Sequence, residues 1–437
     1  MKKLIPVTVL AVMLLLLTMS WINVAKYKNE LNAEYNRHIE NAESYVSKKV
    51  YIDAVKEYER ALEYHPEEFD IAMEIAELYQ KLDNNGAFVK ACENAISIDP
   101  KQPKPYLLLV ERYLSKMNYS KAFATLQKAE AYIPDNKDII KKIKELKGKY
   151  STLSTKFDTF SGFQYEGTSK DGYARVSLDG KYGLLKTNNK MTIPFDYEDI
   201  GLFMNKLIPV KQGGEWFYIT KDGYRKLVPD HPAEELGAFS SKYAPAKIDG
   251  VYGYIDMKAK EYHFEYEYAG CFANDIAAVK KDGKWGIINI SFEKVTDFKF
   301  DDIVMDEYGF CSENGVFIAV EDGKYYIYDT NGEKLSDGYD EIRRFVSKEP
   351  AAFRKGDKWG FISKSGEVIM DATYEDADSF NLGYAPFCKK GKWGCIDENS
   401  NVVIEPDFDE MSVFSRNGKS LVTQDGIKQF LVVKIYE

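Results

Sequence analysis

The sequence predicts a multidomain chain in three parts. An N-terminal membrane-anchor helix covers 1–25, and an all-α solenoid of three repeats plus a cap covers 35–149. An all-β repeat array over 156–437 then forms a propeller-like ring of seven or eight small blades, with an open β superhelix as the rival arrangement. Three observations carry this. The stretch Leu4–Ala25 holds no charged residue. Tyr45, Tyr79 and Tyr113 recur at intervals of 34 and 34. Aromatics in a repeated Asp-Gly-Lys-Trp-Gly string recur at 182, 216, 252, 285, 325, 359 and 393, with intervals of 34, 36, 33, 40, 34 and 34. Periods of this size are the mark of repeat architectures, which mostly present binding surfaces.

The first part is justified by length and polarity. Twenty-two helical residues at about 1.5 Å each rise about 33 Å, enough to cross the hydrocarbon core of a bilayer. Val9 to Leu17 is nearly all Leu, Val, Met and Ala, and Trp21 stands where an interfacial aromatic belongs. Nothing amphipathic marks a buried soluble helix. The reading is an uncleaved signal anchor. The alternative is a secreted chain whose signal is cleaved near Thr18-Met19-Ser20, although the apolar run exceeds a usual signal core. No cysteine lies nearby, which excludes a lipid-modified N-terminus. Lys2 and Lys3 favour an N-terminus inside, while Lys26, Lys28 and Arg37 pull the other way. The short N-tail and signal-like start place the bulk of the chain outside, as a single-pass protein of a bacterial cell envelope.

Charge narrows the partners. The net charge is −10 over 437 residues. Residues 26–150 carry 21 basic and 21 acidic side chains, while 151–437 carry 36 and 48, so the second half holds the deficit. An acidic array is repelled by phosphate backbones, which excludes nucleic acid as a partner. The five cysteines show no CxxC and no metal-like spacing. With Lys390-Gly391 as a two-residue turn, Cys388 faces Trp393 and Cys395 faces Pro386. The two thiols are then diagonal neighbours, a poor geometry for a disulfide.

The helical array repeats more than its tyrosines. Ala61, Ala95 and Ala129 share the interval of 34, as do Pro66, Pro100 and Pro134. Apolar residues such as Ala54, Val55, Tyr58, Ala61 and Leu62 follow a helical period. Each unit reads as helix, turn, helix, closed by proline, with alanines allowing close approach and tyrosines filling the gap between paired helices. On these residues the segment resembles the tetratricopeptide repeat. Tyr45, Ala54, Ala61 and Pro66 match in the first copy, and Tyr113, Ala122, Ala129 and Pro134 in the third. The second departs at Phe88, where the family has Ala, which predicts looser packing there. The family's early Trp is replaced by His38, Ala72 and Tyr106. Asp138 to Lys149 reads as a polar capping helix.

The resemblance implies a concave groove, and the positions that point into it are Glu43, Glu77 and Glu111. Three carboxylates along one surface suit a basic or amide-rich protein segment; the alternative is three solvated polar positions on a spacer. The family's clamp for C-terminal carboxylates uses Lys, Arg and Asn, which these glutamates do not reproduce. His38 and His65 are not at ligand spacing and read as surface or packing residues.

In the β array, an alternating strand precedes each copy of the string, as in Tyr173–Val176, Ile276–Val279 and Tyr384–Phe387. Asp-Gly between two such runs is a hairpin signal, because both turn residues take positive φ. A second strand such as Trp285–Ile288, a second turn such as Asn331-Gly332, a third strand such as Val402–Ile404 and an acidic tail such as Tyr374–Phe380 complete the unit. The Gly-Lys-Trp-Gly core, the following Ile-Asp and the Tyr-to-Phe tail resemble the WG-repeat family over nearly all of 160–430. That resemblance implies fold more than function. A degenerate eighth hairpin, Ser420 to Val432, lacks its own tail, and a matching tail, Phe157-Asp158 to Phe163, stands at the front. The front segment is therefore expected to complete the last unit and close the ring, removing exposed strand edges.

Each candidate site has a plainer reading beside it. Trp216, Trp285, Trp359 and Trp393 suit stacking on sugars, but their fixed place in the repeat makes them packing knobs between units. The glycine after each aromatic makes room for close backbone approach. Asp301, Asp302, Asp306 and Glu307, in the 40-residue interval, suit calcium or else a solvated insertion loop. His231 and His263 are isolated. No catalytic constellation is visible, so the chain reads as no enzyme, with no catalytic, cofactor-binding or metal-binding residues. The function expected is a membrane-anchored, extracytoplasmic protein-interaction scaffold that takes a protein or peptide partner, with binding of cell-wall glycan as the alternative.

Overall fold

The computed structural model describes residues 7–116, 118–165 and 172–434. The chain divides into two compact units, one running to Leu146 and the other Lys147–Ile435.

The helical unit comprises α1 (Val7–Ser47), α2 (Tyr51–Tyr64), α3 (Phe69–Lys81), α4 (Asn85–Ile98), α5 (Pro103–Ser115), α6 (Tyr119–Tyr132) and α7 (Lys137–Lys147). α1 with α2, α3 with α4, and α5 with α6 form the three expected hairpins. Pro66, Pro100 and Pro134 each stand two residues past a helix end, where a ring without an N–H does least harm. Asn84 and Asn118 cap α4 and α6 by accepting from Ala87 N and Lys121 N. Ala54, Ala61, Ala95, Ala122 and Ala129 are fully buried, which lets the helix backbones approach. His38, Ala72 and Tyr106, at the family's Trp position, are all buried.

Two expectations need correcting in this unit. The tyrosines do not all fill the gap: Tyr45 is exposed, and Tyr79 and Tyr113 are half-buried. Phe88 does not loosen the second repeat. Its ring is fully buried in the helical core, with the Arg112 guanidinium 5.2 Å from its centroid. The anchor segment falls mostly outside the described residues: 1–6 are not described, and of 7–25 only five side chains are. The first helix runs from Val7 into the first repeat without a break. Among the described residues, no helix is long and apolar enough to cross a membrane.

The second unit is a propeller-like ring of eight small antiparallel sheets. Blade 7 shows the plan: Asp376–Ala377, Tyr384–Lys389, Lys392–Asp397 and Val402–Phe408 pair in that order. The acidic tail of one unit thus supplies the short first strand of the next blade. Hairpin turns hold positive φ at Asp179-Gly180, Asp249-Gly250, Asp282-Gly283, Asp322-Gly323 and Lys390-Gly391, as the sequence requires. Gly394 packs against the third strand, where an added Cβ would sit 2.5 Å from Ile404 O.

Closure differs in detail from the sequence reading. The strand that completes the eighth sheet is Tyr150–Ser154, paired with Ile427–Val433, with Leu153 opposite Phe430. The tail at Thr159–Phe160 instead enters the first blade, beside Gly172–Leu178. It still seals the seam: the rings of Phe157 and Phe160 lie 6.3 and 4.8 Å from that of Phe430, and Lys428 Nζ donates to Asp158 O.

The acidic residue of each tail has a structural task. Glu198 accepts from Gly213 N and Gly214 N, Glu234 from Gly250 N, Glu267 from Gly283 N, Asp340 from Gly356 N and Glu375 from Gly391 N. Each carboxylate caps the next blade's turn. The motif lysine then binds the following carboxylate, as in Lys284 with Asp301 at 2.6 Å and Lys392 with Asp409 at 2.5 Å. A ladder of turn, acid and lysine links neighbouring blades around one rim.

Candidate functional site

The expected stripe on the helical unit is present in part as free charge. Glu43 and Glu111 are exposed, whereas Glu77 is half-buried and meets Lys104 Nζ at 2.6 Å. His38 is buried, with Nδ1 2.7 Å from Glu57 Oε2. His65, Glu67 and Glu68 are the one group among the described residues whose ligating atoms come within 4.8 Å of one another. Both His65 ring nitrogens are already engaged, Nδ1 with Glu67 and Nε2 with Asn32, which marks a hydrogen-bonded corner.

In the ring, the motif aromatics are structural. Trp216, Trp285 and Trp359 are buried and Trp393 is half-buried, each within a core cluster. All five cysteines are buried and unpaired. Cys388 lies opposite Trp393 and Cys395 opposite Pro386, the diagonal register expected. Burial pushes the Cys92 and Cys311 thiols up to about 12, far from a reactive thiolate. His231 pairs with Glu261 at 2.6 Å, and His263 packs on Phe292.

The chemistry collects at the axis. In the 40-residue interval Asp301, Asp302 and Glu307 are exposed and Asp306 half-buried, and among the described residues their oxygens form no group close enough to hold a metal ion. Asp301 binds Lys284, the Asp302 carboxylate accepts from Ile303 N, and Asp306 accepts from Tyr308 N and Phe310 N. The loop so folded reaches two other blades. Cys271 N donates to Gly309 O at 2.9 Å, and Tyr308 Oη meets Ser161 Oγ at 2.6 Å across 147 residues. A Cβ on Gly270 would meet Gly309 O at 2.5 Å, so only glycine admits the loop there.

Beside the loop lies a cavity of about 410 Å³, lined among others by Arg175, Asp199, Trp216, Glu234, Glu235 and Glu307. Arg175 bridges Asp199 at 3.2 Å and Glu307 at 3.6 Å, and its guanidinium lies over the Tyr182 and Tyr308 rings at 4.9 and 5.9 Å. Glu234 and Glu235 are also paired, with Lys247 Nζ at 3.3 and 3.9 Å, and Glu235 accepts from Tyr252 Oη. Glu307 also lines a second cavity of about 320 Å³, with Arg344 and Arg416. Its carboxylate is partly enclosed by protein, so desolvation raises its pKa against the pull of Arg175. Burial likewise raises Asp306, Glu313 and Asp378. The rim carboxylates go the other way: Asp301, Asp340 and Asp409 are held low first by their lysine partners.

None of these axial residues was singled out as a site by sequence reasoning except the acidic interval. Two signals mark them in retrospect. One is the interval of 40 where others are 33 to 36; the other is a charge, Arg175, inside the alternating strand Tyr173–Val176.

The family model described as "WG containing repeat" matches residues 182–216, 252–285, 285–325, 327–359, 359–393 and 393–426. Solved structures similar to the helical part include MamA, at 14% identity over 26% of this chain and 62% of that one, with a TM-score of 0.23. The first TPR of Spaghetti (RPAP3), bound to the HSP90 peptide SRMEEVD, matches at 14% identity over 26% of this chain and 90% of that one, TM-score 0.22. The N-terminal domain of stress-induced protein-1 from C. elegans matches at 16% identity over 26% and 95%, TM-score 0.24. The chain thus spans less than two thirds of MamA and most of the other two. No curated protein matches.

Proposed function

This chain belongs to the WG-repeat family, and on that premise we propose that it is a non-enzymatic protein-interaction scaffold. Its helical unit takes a protein or peptide partner, and its N-terminal segment tethers it to the cell membrane with both units outside the cytoplasm. The observation that carries the scaffold reading is the division of labour in the repeats. In the ring the recurring motif residues are spent on packing, turns and rim ion pairs, so surface positions outside the motif are left for recognition. On the helical unit those positions include the exposed Glu43 and Glu111, which suit a basic segment. Glu77 contributes less, since Lys104 already neutralises it. The apolar stretch before Lys26 supports the tether. Glycan binding through the motif tryptophans is the weaker reading, because three of the four ring tryptophans are buried.

The test uses the full-length chain, wild type and Glu43→Lys/Glu77→Lys/Glu111→Lys, in pull-downs from the native membrane fraction. Loss of a captured partner on charge reversal supports the acidic surface; an unchanged partner set removes it. Protease added to intact cells is expected to digest the ring, and full protection would overturn the outward orientation.

A further inference from the structure

We propose that a groove between the second and third blades of the ring, 199–227 and 233–266, binds an acidic peptide segment that carries an apolar or aromatic side chain. The groove has a volume of about 630 Å³ and is lined among others by Lys206, Lys242, Lys258, Tyr243, Met257 and Tyr262. Three turns build it. Two precede the second strands of these blades and are closed by the bridges of Met204 with Leu207 and of Ser240 with Tyr243; the third follows Asp256. Asn205 Nδ2 donates to Phe239 O at 3.0 Å and ties one blade to the other. The Tyr243 and Tyr262 rings pack edge to face with centroids 5.3 Å apart, so the apolar floor is preformed.

The repeat itself marks the three lysines as additions. Lys206 and Lys242 stand ten residues before their motif aromatics, where the other units have Gly, Asp275 or Glu349. Lys258 stands six residues after Tyr252, where the six other units with a motif aromatic have Asn, Ser or Asp222. The fold does not demand lysine at these places, yet all three meet at one groove. Motif lysines such as Lys284 and Lys392 are spent on rim carboxylates. Among the described residues, Lys206, Lys242 and Lys258 stand in no ion pair. The one acidic side chain of the lining, Asp256, is already engaged, accepting from Lys258 N, Lys260 N and Tyr262 Oη. Unpaired ammonium groups around an aromatic floor complement carboxylates that flank an apolar side chain. This surface belongs to the ring alone and does not depend on the helical one.

Calorimetry on the full-length protein tests this, with the peptide Glu-Asp-Phe-Glu-Asp as probe. The comparisons are Glu-Asp-Ala-Glu-Asp, Lys-Lys-Phe-Lys-Lys, inorganic phosphate and phosphatidylglycerol vesicles. Saturable binding of the probe is expected, weakened about tenfold or more in Lys206→Glu/Lys242→Glu/Lys258→Glu, whose three side chains are exposed. If that variant melts early, Lys206→Gln/Lys242→Gln/Lys258→Gln is expected to show the loss instead. Lys190→Glu/Lys226→Glu/Lys355→Glu makes the same charge change at exposed lysines outside the groove and is expected to bind as wild type, as is Glu43→Lys/Glu77→Lys/Glu111→Lys. The alanine peptide is expected to bind several-fold more weakly. The proposal is overturned if the probe does not saturate up to about 10 mM, far weaker than specific recognition. It is equally overturned if the control reversal weakens binding as much as the groove variant, or if phosphate, the lysine peptide or the alanine peptide binds as tightly. Vesicle binding without peptide binding, lost in the groove variant, would assign the lysines to a lipid surface and overturn it too.

Discussion

Replacing the glycine after the motif aromatic by alanine separates two kinds of neighbour. At Gly394 the new Cβ would lie 2.5 Å from Ile404 O, 2.7 Å from Pro406 N and 2.9 Å from Glu405 C. All three are backbone atoms of the strand Val402–Phe408, which is held by its ladder and by a proline. Ordinary contacts there need well over 3 Å, so that strand must move outward by several tenths of an ångström. Such overpacking costs about 3 kcal/mol or somewhat more, against a gain of at most about 1 kcal/mol for losing glycine's unfolded-chain entropy. At Gly286 the nearest atoms are Phe298 Cδ1 and Cε1, at 3.0 and 3.3 Å, and a side chain can yield. Gly286→Ala is therefore expected to be near neutral. With about 2–4 °C per kcal/mol for a domain of this order, Gly394→Ala lowers the melting temperature of the ring by about 4–10 °C. Differential scanning fluorimetry reads the contrast. Equal melting of the two variants would refute the claim that backbone approach, and not the motif as such, requires glycine.

Two further outcomes follow from the closure and the rim. Alternate N–H groups of Tyr150–Ser154 face Ile427–Val433, so one of Thr152→Pro and Leu153→Pro removes a ladder bond and costs about 3 kcal/mol. That variant should melt earlier and be cut by protease at the seam, while two unaffected variants would argue against closure by this strand. The rim carboxylates supply stability that is present above their ordinary pKa and lost as pH falls through the depressed folded value. Glu375 is held low by the N–H groups of Lys390 and Gly391, so Glu375→Gln is expected to melt below wild type at pH 7 and to approach it as the pH falls below the ordinary carboxylate range. Asp306 and Asp378, raised by burial, act with the opposite sign and penalise folding least in acid. A constant gap across the pH range would show that Glu375 acts through shape alone.

Much of this architecture was legible because it is local. An Asp-Gly pair between alternating runs favours a hairpin locally, and the turn at Asp282-Gly283 takes the positive φ at both residues that the pair predicts. The 34-residue spacing of alanine and proline set the helical hairpins in the same way. The buried motif aromatics followed from repetition, since a residue demanded in every unit is demanded by packing.

What the tertiary structure decided involves partners far apart in the chain. Tyr150–Ser154 is exposed at every position and has no alternation to betray it; only the unpaired edge at Ile427–Val433 makes it a strand. The two-residue tails join the following sheet because their acids find turn N–H groups there, about sixteen residues on. The longest interval became a loop into the axis because eight blades leave a space that Tyr308 and its neighbours fill. Local pattern determined the units, while the contacts that join the first to the last, and hence the axial cavity, depended on the ring being assembled.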